Sequence, residues 1–371
     1  YRAVFKHAYL ASLGASLVAA TALLSAPAAA AAPQGPTTAT AMDNDAFKAF
    51  AEKELVIGDK SSKNNALTLT AALEDSASTK DVKITLKGGE STFNGVAAVS
   101  GGPGDPVPAK TDIDLSAATM TIEGADTKTK LTVGDGKTKL DVKLKSLTVT
   151  KGTLEISSAA ANKTTLEAGT ITLGKASDAS PVTQDALVNI GAGGVLGKSG
   201  AEITVNTTAK VTAAGEGAKL IGNVAISGGT VVAGESMTIE GDLTATTGSL
   251  TTASGKTATV TGNATFTGNE SLSNAGNLVI QGDAVFADKS VKDSAGSVTF
   301  TKTASMNGDT LKKLMTGDVK SADNANAVIT LSDSGSVGLD SKGLTLINES
   351  GDGAINAKLK NGVDGTLTVH V

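Results

Sequence analysis

Ile221-Gly222-Asn223-Val224-Ala225-Ile226 returns three times: as Glu240-Gly241-Asp242-Leu243-Thr244-Ala245, as Thr261-Gly262-Asn263-Ala264-Thr265-Phe266 and as Gln281-Gly282-Asp283-Ala284-Val285-Phe286. The glycines stand 19, 21 and 20 residues apart. Two positions before each lies an apolar residue: Leu220, Ile239, Val260 and Ile280. Two after lies Val224, Leu243, Ala264 or Ala284, and four after lies Ile226, Ala245, Phe266 or Phe286. Alternation marks a strand on either side of a Gly-Asn or Gly-Asp corner. A coil of about 20 residues cannot bury its own apolar face, so the coils must stack. The expected fold is all-β, a parallel β-solenoid (β-helix) of about 20-residue coils. A set of β-sandwich domains is the competing fold, since it also spaces strands every 8–12 residues or so.

Stacking makes a specific claim about the corners. Asn223, Asp242, Asn263 and Asp283 should occupy one edge in successive layers about 4.8 Å apart. Amide and acid alternate there, so each acid is expected beside amides able to donate to it. Leu220, Ile239, Val260 and Ile280 should form an interior ladder. Thr121-Ile122-Glu123-Gly124 resembles Thr238-Ile239-Glu240-Gly241 and hints that the repeat extends toward the N-terminus.

Composition agrees with a narrow interior. The 371 residues include 43 Gly, seven Phe and two Tyr, with no Trp and no Cys. Period-two stretches such as Val82-Lys83-Ile84-Thr85-Leu86 and Leu147-Thr148-Val149-Thr150 fill most of the chain. Two short helices are expected. Asp43 to Lys53 has a cap in Asp43 or Asn44 and a face of Ala46, Phe47 and Phe50. Asp309 to Thr316 has Asp309 as cap, Leu311, Leu314 and Met315 on one face, and Gly317 as stop. The organisation read this way is a leader at 1–32, a linker and short helix at 33–58, the solenoid at 59–305, and a helix with terminal strands that can continue the solenoid at 306–371.

Scarce residues exclude much chemistry. Histidine occurs only at His7 and His370, and Arg2 is the sole arginine. Nucleophilic triads, Cys-His pairs, histidine zinc sites and bidentate arginine clamps all lack members. The net charge is −5. With so few arginines and aromatics, nucleic acid is not an expected partner. Three local motifs fail on context. Ala192-Gly193-Gly194-Val195-Leu196-Gly197-Lys198-Ser199 has a loose phosphate-loop pattern, but a strand pattern follows where a helix is needed. Gly134-Asp135-Gly136 and Gly351-Asp352-Gly353 lack calcium-loop spacing and read as turns. Asp333-Ser334-Gly335-Ser336 resembles the nucleophile segment of trypsin-like serine proteases. Ser332 replaces that family's glycine, and the remaining histidine lies downstream rather than upstream. No residue is assigned to catalysis, to a cofactor or to a metal, and the chain is expected not to be an enzyme. A β-helix polysaccharide lyase is the enzymatic rival, disfavoured by the missing arginine and aromatic residues.

Residues 1–32 carry a basic start at Arg2 and Lys6, an apolar stretch from Leu10 to Leu24, and an alanine-rich end at Ala26–Ala32. This is the three-part pattern of a secretory signal peptide, with a cleavage site near Ala29–Ala31 and its true start expected some residues earlier. Tyr1-Arg2-Ala3-Val4-Phe5-Lys6-His7-Ala8 resembles the extended signal-peptide region of type V secreted proteins, the autotransporters and their relatives. The tryptophan-containing continuation common in that region is absent here. The resemblance implies a Gram-negative bacterium, export to the outer membrane and cell surface, and a translocation β-barrel beyond the passenger. It implies an adhesin passenger that meets host-cell, matrix or self surfaces in attachment, aggregation or biofilm. A structural surface-layer or filament subunit is the alternative.

Overall fold

Each coil of the chain turns through three strands that lie on three faces. In one coil, Ala218–Ser227 supplies the first and second faces around the Gly222-Asn223 corner, and Thr230–Ala233 supplies the third. The next coil repeats this as Met237–Glu240, Leu243–Ala245 and Ser249–Thr252. The computed structural model describes residues 40–50, 52–59, 64–71, 81–98, 109–176, 183–322, 326–331, 337–338, 345–346, 354–355 and 366–370. Among these, the chain forms a nearly all-parallel β-solenoid of about 11 turns with two short helices. Residues 1–39, which include the leader, and the Asp333–Ser336 and Gly351–Gly353 motifs lie outside the described residues.

The corner register is the one the repeat requires. Val224 pairs with Leu243, Leu243 with Ala264, and Ala264 with Ala284. Asn223, Asp242, Asn263 and Asp283 precede these residues and therefore stack. On the first face Leu220 pairs with Ile239, Ile239 with Val260, and Val260 with Ile280. All four are fully buried. Phe266 and Phe286 stack with ring centroids 5.0 Å apart, and Phe286 meets Phe300 edge-on at 6.1 Å.

The glycines are there for closeness more than for backbone freedom. Gly222 and Gly241 have positive φ, at 131° and 148°. Gly262 and Gly282 do not share that conformation. What all four share is contact. A Cβ on Gly241 would lie 2.3 Å from the Gly222 carbonyl oxygen, one on Gly262 2.5 Å from that of Gly241, and one on Gly282 2.3 Å from that of Gly262. Backbone sits on backbone at this corner, and any side chain would separate the layers.

The solenoid reaches beyond the expected 59–305. Thr40–Met42 and Glu54–Ile57 already pair in parallel with later strands, so these two parts of the segment expected as linker and short helix belong to the solenoid. At the other end, Asp318–Ser321 and Asn326–Leu331 extend the first and second faces, and Thr366–His370 pairs with Asn326–Leu331. Earlier coils are longer. Ile113, Val142, Leu166, Leu196 and Leu220 are consecutive partners on the first face, with spacings nearer 24–30 residues than 20. Thr121 and Ile122 lie on the second face, whereas Thr238 and Ile239 lie on the first. The likeness of those two segments is therefore one of strand-end pattern and not of position.

Both helices are shorter than expected. The first, α1, spans Asn44–Ala49, and the Asp43 carboxylate accepts from the Ala46 N–H at 2.9 Å. Asn44 is no cap; its side chain bonds Thr70 in a neighbouring strand. Phe47 is buried while Ala46 is exposed, and residues 54–57 return to strand, which ends the helix well before Lys53. The second, α2, spans Gly308–Leu314 with Asn307 as its N-cap in place of Asp309. It takes the place of a third-face strand. Side chains of the helix and of the residues just after it reach carbonyls of the last third-face strand and the turn before it: Thr310 donates to Ala287, Lys313 to Val291 and Thr316 to Ser294. That closes a row of acceptors which would otherwise recruit another strand.

Candidate functional site

Parallel stacking turns every outward sequence position into a column. On the second face, Thr121, Thr148, Thr172 and Thr204 are consecutive partners, and Thr244 and Thr265 continue the column beyond Ala225. These threonines are half-buried, with their neighbours in the strand facing the core. Each layer adds a hydroxyl and a methyl about 4.8 Å from the last.

The corner residues form the adjacent column, two residues or about 6.6 Å away along the strand. Its chemistry differs from the expected donation of amides to acids. Asn263 N–H donates to the Asp242 carboxylate at 2.7 Å, Asp283 N–H to the Asn263 amide oxygen at 2.9 Å, and Thr303 N–H to the Asp283 carboxylate at 3.2 Å. Asp242 N–H reaches the Asn223 amide oxygen at 3.4 Å, and Asn223 donates to Glu202 at 3.1 Å. Each side chain thus offers an oxygen to the backbone N–H of the next coil. Asp and Asn are equivalent in this role, which removes any need for strict alternation. Each such bond is worth about 1 kcal/mol net.

Ion pairs follow the same stacking. Lys219 meets Glu240, Lys256 meets Glu235, and Lys130 meets Glu155. The hydrogen bond that Lys256 donates to the Glu235 carboxylate raises the pKa of its ammonium above the ordinary value. These pairs are only half-buried at the solvated surface and contribute little to stability.

The segments singled out for chemistry take structural places. Val195–Asn206 is a strand that runs through two faces with a bulge between Gly197 and Glu202, so no helix terminus faces the phosphate-loop-like glycines. The Asp135 carboxylate accepts from the Lys137 and Thr138 N–H groups at 2.8 and 3.0 Å, which makes Gly134-Asp135-Gly136 a turn. Among the described residues, no group of three or more His, Cys, Asp or Glu gathers where it could hold a metal. No described helix is long and apolar enough to cross a membrane.

A cleft escaped the sequence reading. It lies where the second face turns into the third. Counted from the registered residues Ile226, Ala245 and Phe266, that corner takes three residues in two coils, 227–229 and 246–248, and five in the next, 267–271. Gly248, Thr251, Asn269, Glu270, Ser273 and Lys292 are among the residues that line the cleft. Lys292 and Glu270 are paired at 3.4 Å. The signal available in the sequence was the change in corner length after Phe266. Comparison of this chain with family models, with curated proteins and with solved structures brings no match.

Proposed function

We propose that this chain is the β-solenoid passenger of a secreted, non-enzymatic adhesin of the type V kind, acting at the outer membrane and cell surface of a Gram-negative bacterium. Its partners are host-cell, matrix or self surfaces, met in attachment, aggregation or biofilm. The observation that carries the reading is the outward column structure of the second face, where hydroxyl, amide and carboxylate groups repeat in register layer after layer. Contacts that are weak one at a time add along such a stack once the first is made. The leader pattern at 1–32 and the resemblance of Tyr1–Ala8 supply the route to the surface.

The test joins this chain to a translocating β-barrel in a non-aggregating Gram-negative host. We expect surface-exposed protein whose first residue lies between Ala28 and Pro33, and cells that sediment or attach faster than those carrying the barrel alone. Surface protein that still carries Tyr1–Leu24 contradicts the export reading. Correctly processed protein with no gain in sedimentation or attachment contradicts the adhesive one.

A further inference from the structure

Five buried side-chain oxygens among the described residues meet no hydrogen-bond partner: those of Thr85, Thr252, Asn274, Ser290 and Ser294. Three of the five fall on one row. Thr252 pairs with Asn274, and Asn274 with Ser294, so these three are registered neighbours in successive coils of the third face. All three are buried in the interior, Thr252 and Asn274 completely. Folded proteins leave few such groups unmet, because burying a polar atom without a partner is costly.

The three groups do not satisfy one another, and Asn274 sets what is needed. Its Nδ2 donates to the Ser297 carbonyl at 2.9 Å. That bond fixes the amide's orientation, since a flipped amide would set oxygen against oxygen. Asn274 Oδ1 can only accept, so whatever meets it must donate. The backbone beside the row is already engaged. The Thr252 carbonyl accepts the Ala275 N–H at 3.0 Å and the Asn274 carbonyl the Gly296 N–H at 3.0 Å. The Ser294 carbonyl accepts the Thr316 hydroxyl at 2.9 Å.

The row also changes in bulk. In earlier coils it consists of Ile156, Ile190, Ala213 and Ala233, consecutive partners down to Thr252. Isoleucine thus gives way to alanine and then to threonine, asparagine and serine. The strand that ends at Ser294 carries an extra residue relative to its partner, and this bulge loosens the ladder beside Asn274. Small polar side chains around an unmet acceptor suit a molecule of water size. A cation is disfavoured, because the row offers three neutral oxygens and no carboxylate, where calcium takes about six to eight oxygens.

We infer that this interior row holds two buried waters, one between Thr252 and Asn274 and one between Asn274 and Ser294. Each donates to Asn274 Oδ1 and shares a second hydrogen bond with the neighbouring hydroxyl. Registered partners stand about 4.8 Å apart, so one water spans each gap. Thr252 and Ser294 stand two layers apart, about 9.6 Å, too far for one water to serve both. The waters supply the donors that the protein lacks there and are part of the core. The inference is independent of the adhesive reading.

A crystal structure of the full chain that shows ordered water tests this, together with urea unfolding of three variants. Two waters are expected, each about 2.8 Å from Asn274 Oδ1. Thr252→Val keeps the shape of the side chain and removes its hydroxyl. If a water bonds that hydroxyl, the variant's unfolding constant rises about fivefold. Ser294→Ala should act in the same direction, and Thr252→Ser, which keeps the hydroxyl, should retain both waters. The inference is overturned if no water lies within hydrogen-bond reach of Asn274 Oδ1, or if the Thr252 or Ser294 hydroxyl donates to it directly. It is equally overturned if Thr252→Val and Ser294→Ala both unfold less readily than the wild type, as they would were the hydroxyls unpartnered.

Discussion

Phe266→Ala is expected to lower the unfolding free energy by about 3–5 kcal/mol. Phe266 is fully buried on the second face, between Ala245 in the coil before and Phe286 in the coil after. The interior there is narrow, and Ala264 and Ala284 leave room that the rings fill. The backbone cannot collapse onto the missing ring, because the corner glycines already hold the layers in contact. The cavity therefore stays open, which places the loss in the upper part of the range for large-to-small changes. Phe286→Ala removes the other ring of the stacked pair, and the double variant should lose less than both singles together by about 0.5–1.5 kcal/mol. Urea unfolding followed by circular dichroism reads both numbers. A loss below about 1 kcal/mol for Phe266→Ala would mean that the ring is not enclosed.

Gly262→Val should be nearly as costly, at about 3 kcal/mol, near the upper end for inserting atoms into a packed site. The reason is position rather than burial of apolar surface. A Cβ at Gly262 meets the Asp242 carboxylate oxygen at 2.4 Å and the Gly241 carbonyl at 2.5 Å. The carboxylate is the far end of a side chain, but the carbonyl is backbone and cannot move without spreading two layers. Spreading them also breaks the bond from Asn263 N–H to Asp242 and that from Gly262 N–H to the Gly241 carbonyl. Gly255 makes a sharp control for space. It lies at a corner of the same coil, where a Cβ would meet nothing within 4 Å. Its φ of 73° still penalises a side chain, so Gly255→Ala measures backbone strain alone. A smaller loss at Gly262 than at Gly255 would contradict the close-contact explanation.

The repeated Gly-Asn and Gly-Asp corners made the second half of the solenoid readable. There every coil has nearly the same length, so equivalent residues recur at a visible period. From Ile113 to Leu220 the same three faces exist, but corners and bulges of varying length erase the period, and the strands could be recognised without their layer being known. The Thr121–Gly124 likeness misled for the same reason: a strand ending in apolar, acidic, Gly looks alike on either face. Helix ends were displaced because Asn307 and Asp309 are both good caps, and tertiary packing of Leu311 and Leu314 chose between them. The cleft around Glu270 was not legible at all. Nothing in Gly268-Asn269-Glu270-Ser271 announces a left-handed glutamate, with φ of 54°, because sequence preference at that position argues for glycine. The interior column of Thr252, Asn274 and Ser294 was hidden too, since each polar residue occupies an apolar position of the alternation.

The stacking of the corners underlies the columns of the second face, the cleft and the function drawn from them, and cysteine pairing tests it most directly. The chain has no cysteine of its own, so engineered pairs report without background. Asp242→Cys with Asn263→Cys places two outward side chains on registered neighbours about 4.8 Å apart, within the range of Cα separations that a disulfide spans, about 4.4–6.8 Å. Asn223→Cys with Asp283→Cys separates them by three layers, about 14 Å. The solenoid predicts rapid, intramolecular disulfide formation in the first pair under mild oxidation and none in the second. No disulfide in the first pair, or equal rates in the two, would contradict the stacked register and the solenoid with it.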